Sequence, residues 1–245
     1  MLRLNLAGAL VALSLAFVSS PAAAQTVDEI IARNLEAKGG VERMRAVQTL
    51  RQTGRLSMPT GEATLVVYHK RPNLTRQEVT LGAGGRGAGP TKVIAAYDGK
   101  TAWMINPLAG VTAPMAVMGP QADAIREQSD FDGPLVDYRA RGYRVDYVGT
   151  ETVDGRRVYH LRLNDRAKRV QHLYLDVETA LEAKVVIATE NGSVSQELSD
   201  YRDVEGVKVP FSIRTVANDV QQSILTIEKV EFNVRIDDTI FRLGK

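Results

Sequence analysis

Cysteine is absent from the chain, so no disulfide staples the fold and no thiol near the N-terminus can take a lipid anchor. Stability has to come from a hydrophobic core. Histidine is nearly as scarce: His69, His160 and His172 sit in separate segments, without the His-Glu-x-x-His spacing of a zinc hydrolase. They read as ordinary, partly exposed strand positions, and neither a metal nor a cofactor is expected. An excess of one charge is also missing, because 31 Lys and Arg are scattered among 29 Asp and Glu. A phosphate backbone needs a clustered basic face, so no nucleic-acid partner is expected. The short runs at 156–157 and 166–169 read as solvated hairpin ends.

Long apolar runs are lacking too. Residues 6–18 form one, but it falls well short of the ~20 residues that cross a bilayer as a helix. With Arg3 before it and Pro21-Ala22-Ala23-Ala24 after it, residues 1–24 read as a secretory signal peptide cleaved after Ala24. The periplasm is then the expected compartment, and residues 25–245 are long enough for one β-rich domain.

Motifs of catalysis are equally thin. No Gly-x-Ser-x-Gly elbow is present. The stretch Gly82-x-Gly84-x-x-Gly87 matches a dinucleotide fingerprint in letters, but Gly89-Pro90 and a strand follow it where the fingerprint needs a helix N-terminus. Asp123, Glu127, Asp130, Asp132 and Asp137 read as a charged face beside a lid rather than the carboxylate pair of a glycosidase. An enzyme is not expected.

What the sequence does contain is one helix and many strands. Thr26 with Glu29 forms a capping box, Val27, Ile30, Ile31 and Leu35 recur at helical spacing, and Gly39-Gly40 stops the helix. A short turn over 41–46 leads into runs of β-branched and aromatic residues. Strands are predicted at 49–58, 62–70, 74–81, 92–97, 101–105, 143–150, 157–163, 170–176, 181–188, 194–201, 207–216 and 223–232. Turn residues such as Asp154-Gly155 and Glu205-Gly206 separate them. Connections this short force antiparallel neighbours, and so wide a meander must curl. The expected fold is mainly β with some α: a curved antiparallel sheet forming an unclosed barrel, its concave face covered by the N-terminal helix and a helical lid. The long segment 106–141, with a short helix at 121–129, supplies that lid.

Several strands carry an apolar residue at every second position. Leu161, Leu173, Leu175, Val185, Ile187, Phe211 and Ile213 mark the greasy face on one side of the chain, and Leu65 and Val67 mark it on the other. One helix is little cover for so wide a sheet, so part of this face is left for an apolar ligand. Trp103, the single tryptophan, and Ile105 are candidate walls, and Met115 and Met118 are candidate lid contacts.

In order and spacing, several segments resemble the periplasmic outer-membrane lipoprotein-sorting proteins, the LolA/LolB-like superfamily. They are the helix ending Glu36-Ala37-Lys38-Gly39-Gly40, Tyr68-His69-Lys70-Arg71-Pro72, Tyr97-Asp98-Gly99-Lys100-Thr101-Ala102-Trp103, residues 130–138 and residues 201–211. The resemblance implies a single half-barrel domain over 25–245 whose apolar cavity carries lipid or lipoprotein acyl chains toward the outer membrane, with an envelope membrane protein as a further partner. Arg51 and Arg55 are the candidates for that family's lid-locking arginine. The alternative is a non-catalytic envelope sensor or protein-interaction module on the same fold.

Overall fold

The computed structural model describes residues 25–82, 89–165, 169–189 and 192–244. The expected signal segment, residues 84–87 of the glycine-rich stretch, residues 166–168 and Asn191 lie outside them. The chain opens with two helices, α1 (Val27–Ala37) and α2 (Val41–Ala46). Five strands follow: β1 (Thr49–Met58), β2 (Gly61–Lys70), β3 (Leu74–Leu81), β4 (Thr91–Tyr97) and β5 (Ala102–Asn106). After β6 (Val111–Ala116) and α3 (Gly119–Gln128) come β7 (Arg144–Val153), β8 (Arg156–Asn164), β9 (Val170–Asp176) and β10 (Glu182–Thr189). The long strands β11 (Gly192–Val204), β12 (Val207–Ala217) and β13 (Val220–Phe232) close the series.

All thirteen strands belong to one antiparallel sheet in the order β6-β5-β4-β3-β2-β1-β13-β12-β11-β10-β9-β8-β7. Each half of the chain makes its own meander, and the first strand pairs with the last, joining the halves at β1–β13. β6 and β7 remain as free edges, so the sheet is an unclosed half-barrel.

Helix α1 forms where the sequence signals it. Thr26 Oγ1 accepts from the Glu29 N–H and the Glu29 carboxylate accepts from the Thr26 N–H, a complete capping box. Its end is held by backbone geometry. Gly39 has φ +117°, and a Cβ there would stand 2.1 Å from the Gly206 carbonyl oxygen, so the helix end abuts the β11–β12 turn as only glycine allows. The Lys208 N–H donates to Lys38 O at 2.9 Å across the same contact.

Three packed groups cover the concave face. Ile30 and Ile31 of α1 and Leu135 and Tyr138 bury Tyr159, Leu161, Leu163, Leu173 and Leu175. Met44 and Val47 at α2 pack with Val136 and Val207, and Ile125 of α3 packs with Tyr97, Ala102 and Val117. The convex face has cover of its own: Ile94, Ala96 and Trp103 pack with Leu243 of the C-terminal segment, and Phe241 beside it is fully buried.

Two features differ from the sequence reading. Segment 106–141 is not one lid, since residues 111–116 add β6 to the sheet, pairing Met104 with Met115 and Trp103 with Ala116. Pro114 and the run of small residues hide this strand from pattern reading, and an edge is where a sheet tolerates proline. The C-terminal segment, which has no strand or helix period, also carries part of the core.

Candidate functional site

A single cross-strand row defines the candidate site. Leu81 pairs with Ala63, Ala63 with Leu56, Leu56 with Leu225, Leu225 with Ile213, and Ile213 with Leu198. Directly opposed residues share a face, so the row is an unbroken apolar band over six adjacent strands, about 24 Å long at ~4.8 Å per strand. Except for buried Ala63, its members are only half-buried. Among the described residues, none of them belongs to the packed groups beneath the helices. Val185 and Ile187 of β10 continue the half-buried apolar surface, and Leu65 and Val67 of β2 lie deeper, both buried.

Structure sorts the residues singled out by sequence into four environments. Leu65, Val67, Val185, Ile187 and Ile213 lie on the concave face at or beside the band, and strand parity places Phe211 there as well. Leu161, Leu173 and Leu175 share that face but are at most 2 % exposed beneath α1, so they are core and line no groove. Trp103 and Ile105 correct the reading: they face the convex side, where Trp103 Nε1 donates to Phe241 O at 2.7 Å. The neighbour of Trp103, Ala102, lies on the concave side, buried with Ile125 under α3. Met115 and Met118 are exposed, Met118 to 86 %, near the β6 edge.

A strap over residues 130–143 closes one end of the concave face, and Arg71 anchors it. The Arg71 guanidinium donates to both carboxylate oxygens of Asp132 at 2.6 and 2.8 Å, to Val47 O at 2.8 Å and to Met44 O at 3.1 Å. It also lies 4.5 Å from the centre of the Phe131 ring. The Arg71 guanidinium holds the Asp132 carboxyl below the usual range. At the other end of the strap, Tyr138 O–H donates to Asp28 of α1 at 2.7 Å. Arg51 and Arg55, the candidates from sequence, instead pair with Glu231 and Glu228 on the convex side.

Replacing Arg71 with Met leaves the Asp132 carboxylate without its bidentate partner, at an expected cost of about 1–3 kcal/mol. Urea denaturation measures that loss. Hydrogen exchange locates it, because residues 130–143 are expected to lose protection before the strands do.

The acids considered for glycoside chemistry are all engaged by arginines: Asp123 by Arg126, Glu127 by Arg169, Asp130 by Arg141, Asp132 by Arg71 and Asp137 by Arg45. Two histidines expected to stand apart in fact meet. On the convex side His160 Nε2 lies 2.7 Å from His172 Nδ1, and His160 Nδ1 lies 2.5 Å from the Glu151 carboxylate. Among the described residues, no group of three His, Cys, Asp or Glu is arranged to hold a metal ion.

An unclosed antiparallel half-barrel, with helices and a strap over one end of its concave face, is the LolA-like fold. Solved structures share it, among them these three. A DUF1329 family protein from Desulfovibrio piger superposes with TM-score 0.60 at 12 % identity, over 88 % of this chain and 97 % of that one. A LolA superfamily protein from Nitrosomonas europaea gives TM-score 0.56 at 15 % identity, over 89 % and 98 %. A putative outer membrane lipoprotein-sorting protein domain from Vibrio parahaemolyticus gives 0.52 at 12 %, over 86 % and 97 %. No protein-family model and no curated protein matches the chain.

Proposed function

We propose that the protein is a non-catalytic periplasmic carrier that holds acyl chains of lipids or lipoproteins in the concave groove, on the way to the outer membrane. The observation that carries this reading is the apolar band from Leu81 to Leu198, left half-buried in a fold that buries its other apolar clusters. Each buried methylene contributes about 0.8 kcal/mol. A 24 Å band exceeds the ~15 Å that one lipid leaflet's chains span in a ~30 Å core, so it accommodates a long chain. The lipoprotein-sorting description of the Vibrio neighbour supports the same class of ligand. Residues 1–24 act as the export signal, and 25–245 form one domain.

Ile213→Glu tests the reading. Its side chain is half-buried, so the variant is expected to fold, with a melting temperature within a few degrees of wild type. Binding of an apolar fluorescent probe is expected to fall at least tenfold, as a charge in the band must be desolvated. Undiminished binding by the folded variant would remove the band from the site.

The second reading, an envelope protein-interaction module, draws on one observation: Leu108, Met115 and Met118 are exposed near the free edge β6. Under it, Met115→Lys with Met118→Lys would abolish partner capture and leave probe binding intact.

A further inference from the structure

The concave face contains a polar pair that the protein itself leaves without hydrogen-bond partners. Along one row Phe232 opposes Leu50, Leu50 opposes His69, His69 opposes Thr75, and Thr75 opposes Tyr97. Thr75 is 1 % exposed and its Oγ1 has no hydrogen-bond partner. On the neighbouring strand His69 Nδ1 is likewise buried and unpartnered. Buried polar side chains are bonded in the great majority of cases, and each orphan costs roughly 1–3 kcal/mol. Two side by side on one face therefore ask for a common partner.

The surroundings say what kind of partner. Phe131 of the strap stands edge-on to His69 with ring centres 5.8 Å apart, and the Arg71 guanidinium lies 4.5 Å from the centre of the Phe131 ring. Arg71, two residues along the chain from His69, is already committed to Asp132. Burial pulls the His69 imidazole down to about 4, so it is neutral at pH 7. A threonine hydroxyl both donates and accepts, and a neutral imidazole does one at each nitrogen. Such a pair suits an uncharged hydroxyl or ester oxygen, since neither group offers a carboxylate a positive charge. Down strand β2, Val67, Leu65 and Ala63 follow His69 on the same face and lead to the apolar band. Six residues at ~3.4 Å each put the pair about 20 Å from the band.

We infer that His69 and Thr75 form a polar subsite at the strap end of the groove, which takes the neutral oxygen-bearing head of an acyl ligand while its chain runs along β2 toward the band. This rests on the carrier reading and names the ligand class within it: uncharged acyl esters or alcohols in preference to free fatty acids. The ester could belong to a free glyceride or to a glyceride-modified lipoprotein, which share this chemistry.

Displacement of the fluorescent probe by monolaurin, lauric acid and dodecane at pH 7 tests it. Wild type is expected to favour monolaurin over the other two by about fivefold or more, the worth of one to two hydrogen bonds. Thr75→Val is expected to lose most of that preference with dodecane affinity unchanged. Thr75→Ser, which keeps the hydroxyl, is expected to retain it. Since Oγ1 bonds to nothing in the protein, Thr75→Val is also expected to match or exceed wild type in melting temperature. A wild-type preference for lauric acid, or a Thr75→Val variant with the wild-type ratio of monolaurin to dodecane, overturns the subsite and leaves the carrier reading standing. Glyceride-modified lipopeptide as a fourth competitor separates the two ester sources. Failure of wild type to bind any of the four overturns both.

Discussion

Lowering the pH from 7 to 4 is expected to remove about 3 kcal/mol of folding stability through His69 alone. Burial brings the folded imidazole to about 4 from the ordinary 6.5. Between those values the unfolded chain binds a proton that the folded chain refuses. The full contribution is therefore present above pH 6.5 and drains away as the pH falls toward 4. His172 is shifted in the same direction, by burial first and then by His160 and Arg162, and adds to the slope. Asp132, held down by Arg71, keeps its contribution above about 3.8 and loses it only as the pH falls below that. Urea denaturation of wild type and His69→Leu at pH 7, 5.5 and 4.5 isolates the term. The variant is expected to show the shallower loss, and identical slopes would contradict the burial of His69.

The second large effect lies in the covered half of the concave face. Leu161 is fully buried between β8 and α1, where Ile30, Ile31, Leu173 and Leu175 surround it. Leu161→Ala is expected to cost about 2–5 kcal/mol, the lost transfer energy plus the cavity left behind. Leu198→Ala, on the half-buried band, is expected to cost less than half as much, since solvent already reaches that side chain. Equal losses at the two positions in urea denaturation would mean that the band is as tightly packed as the core.

The comparison between those two leucines shows where sequence reading stops. Alternation along the strands marks Leu161 and, on the band, Ile213 as members of one greasy face, while Leu198 is not singled out, because the period of two is local and silent about cover. Which part of that face a helix covers depends on α1 docking against β8 and β9, more than a hundred residues away in sequence. For the same reason the capping box of α1, the turns and the strands themselves were legible, with ends displaced by no more than three residues. β6 was not, since Pro114 and its small neighbours imitate a loop. Trp103 fell on the other face because Tyr97 pairs with Ala102, which turns Ala102 inward and its neighbour outward. Arg71 was visible within Tyr68-His69-Lys70-Arg71-Pro72, yet nothing local linked it to Asp132, sixty-one residues away. A signal for the polar pair did exist in principle: His69 and Thr75 occupy inward positions beside Val67 and Leu65, and a polar residue on an apolar face is the anomaly to look for.

An acyl chain in the groove is the central claim, and native mass spectrometry with lipid extraction tests it most directly, on protein purified from a periplasm without added detergent. Wild type is expected to carry acyl lipid or lipopeptide that Ile213→Glu does not retain. A bare wild-type mass, unchanged after incubation with lipids and lipopeptides, would contradict the carrier and leave the protein-interaction module in its place.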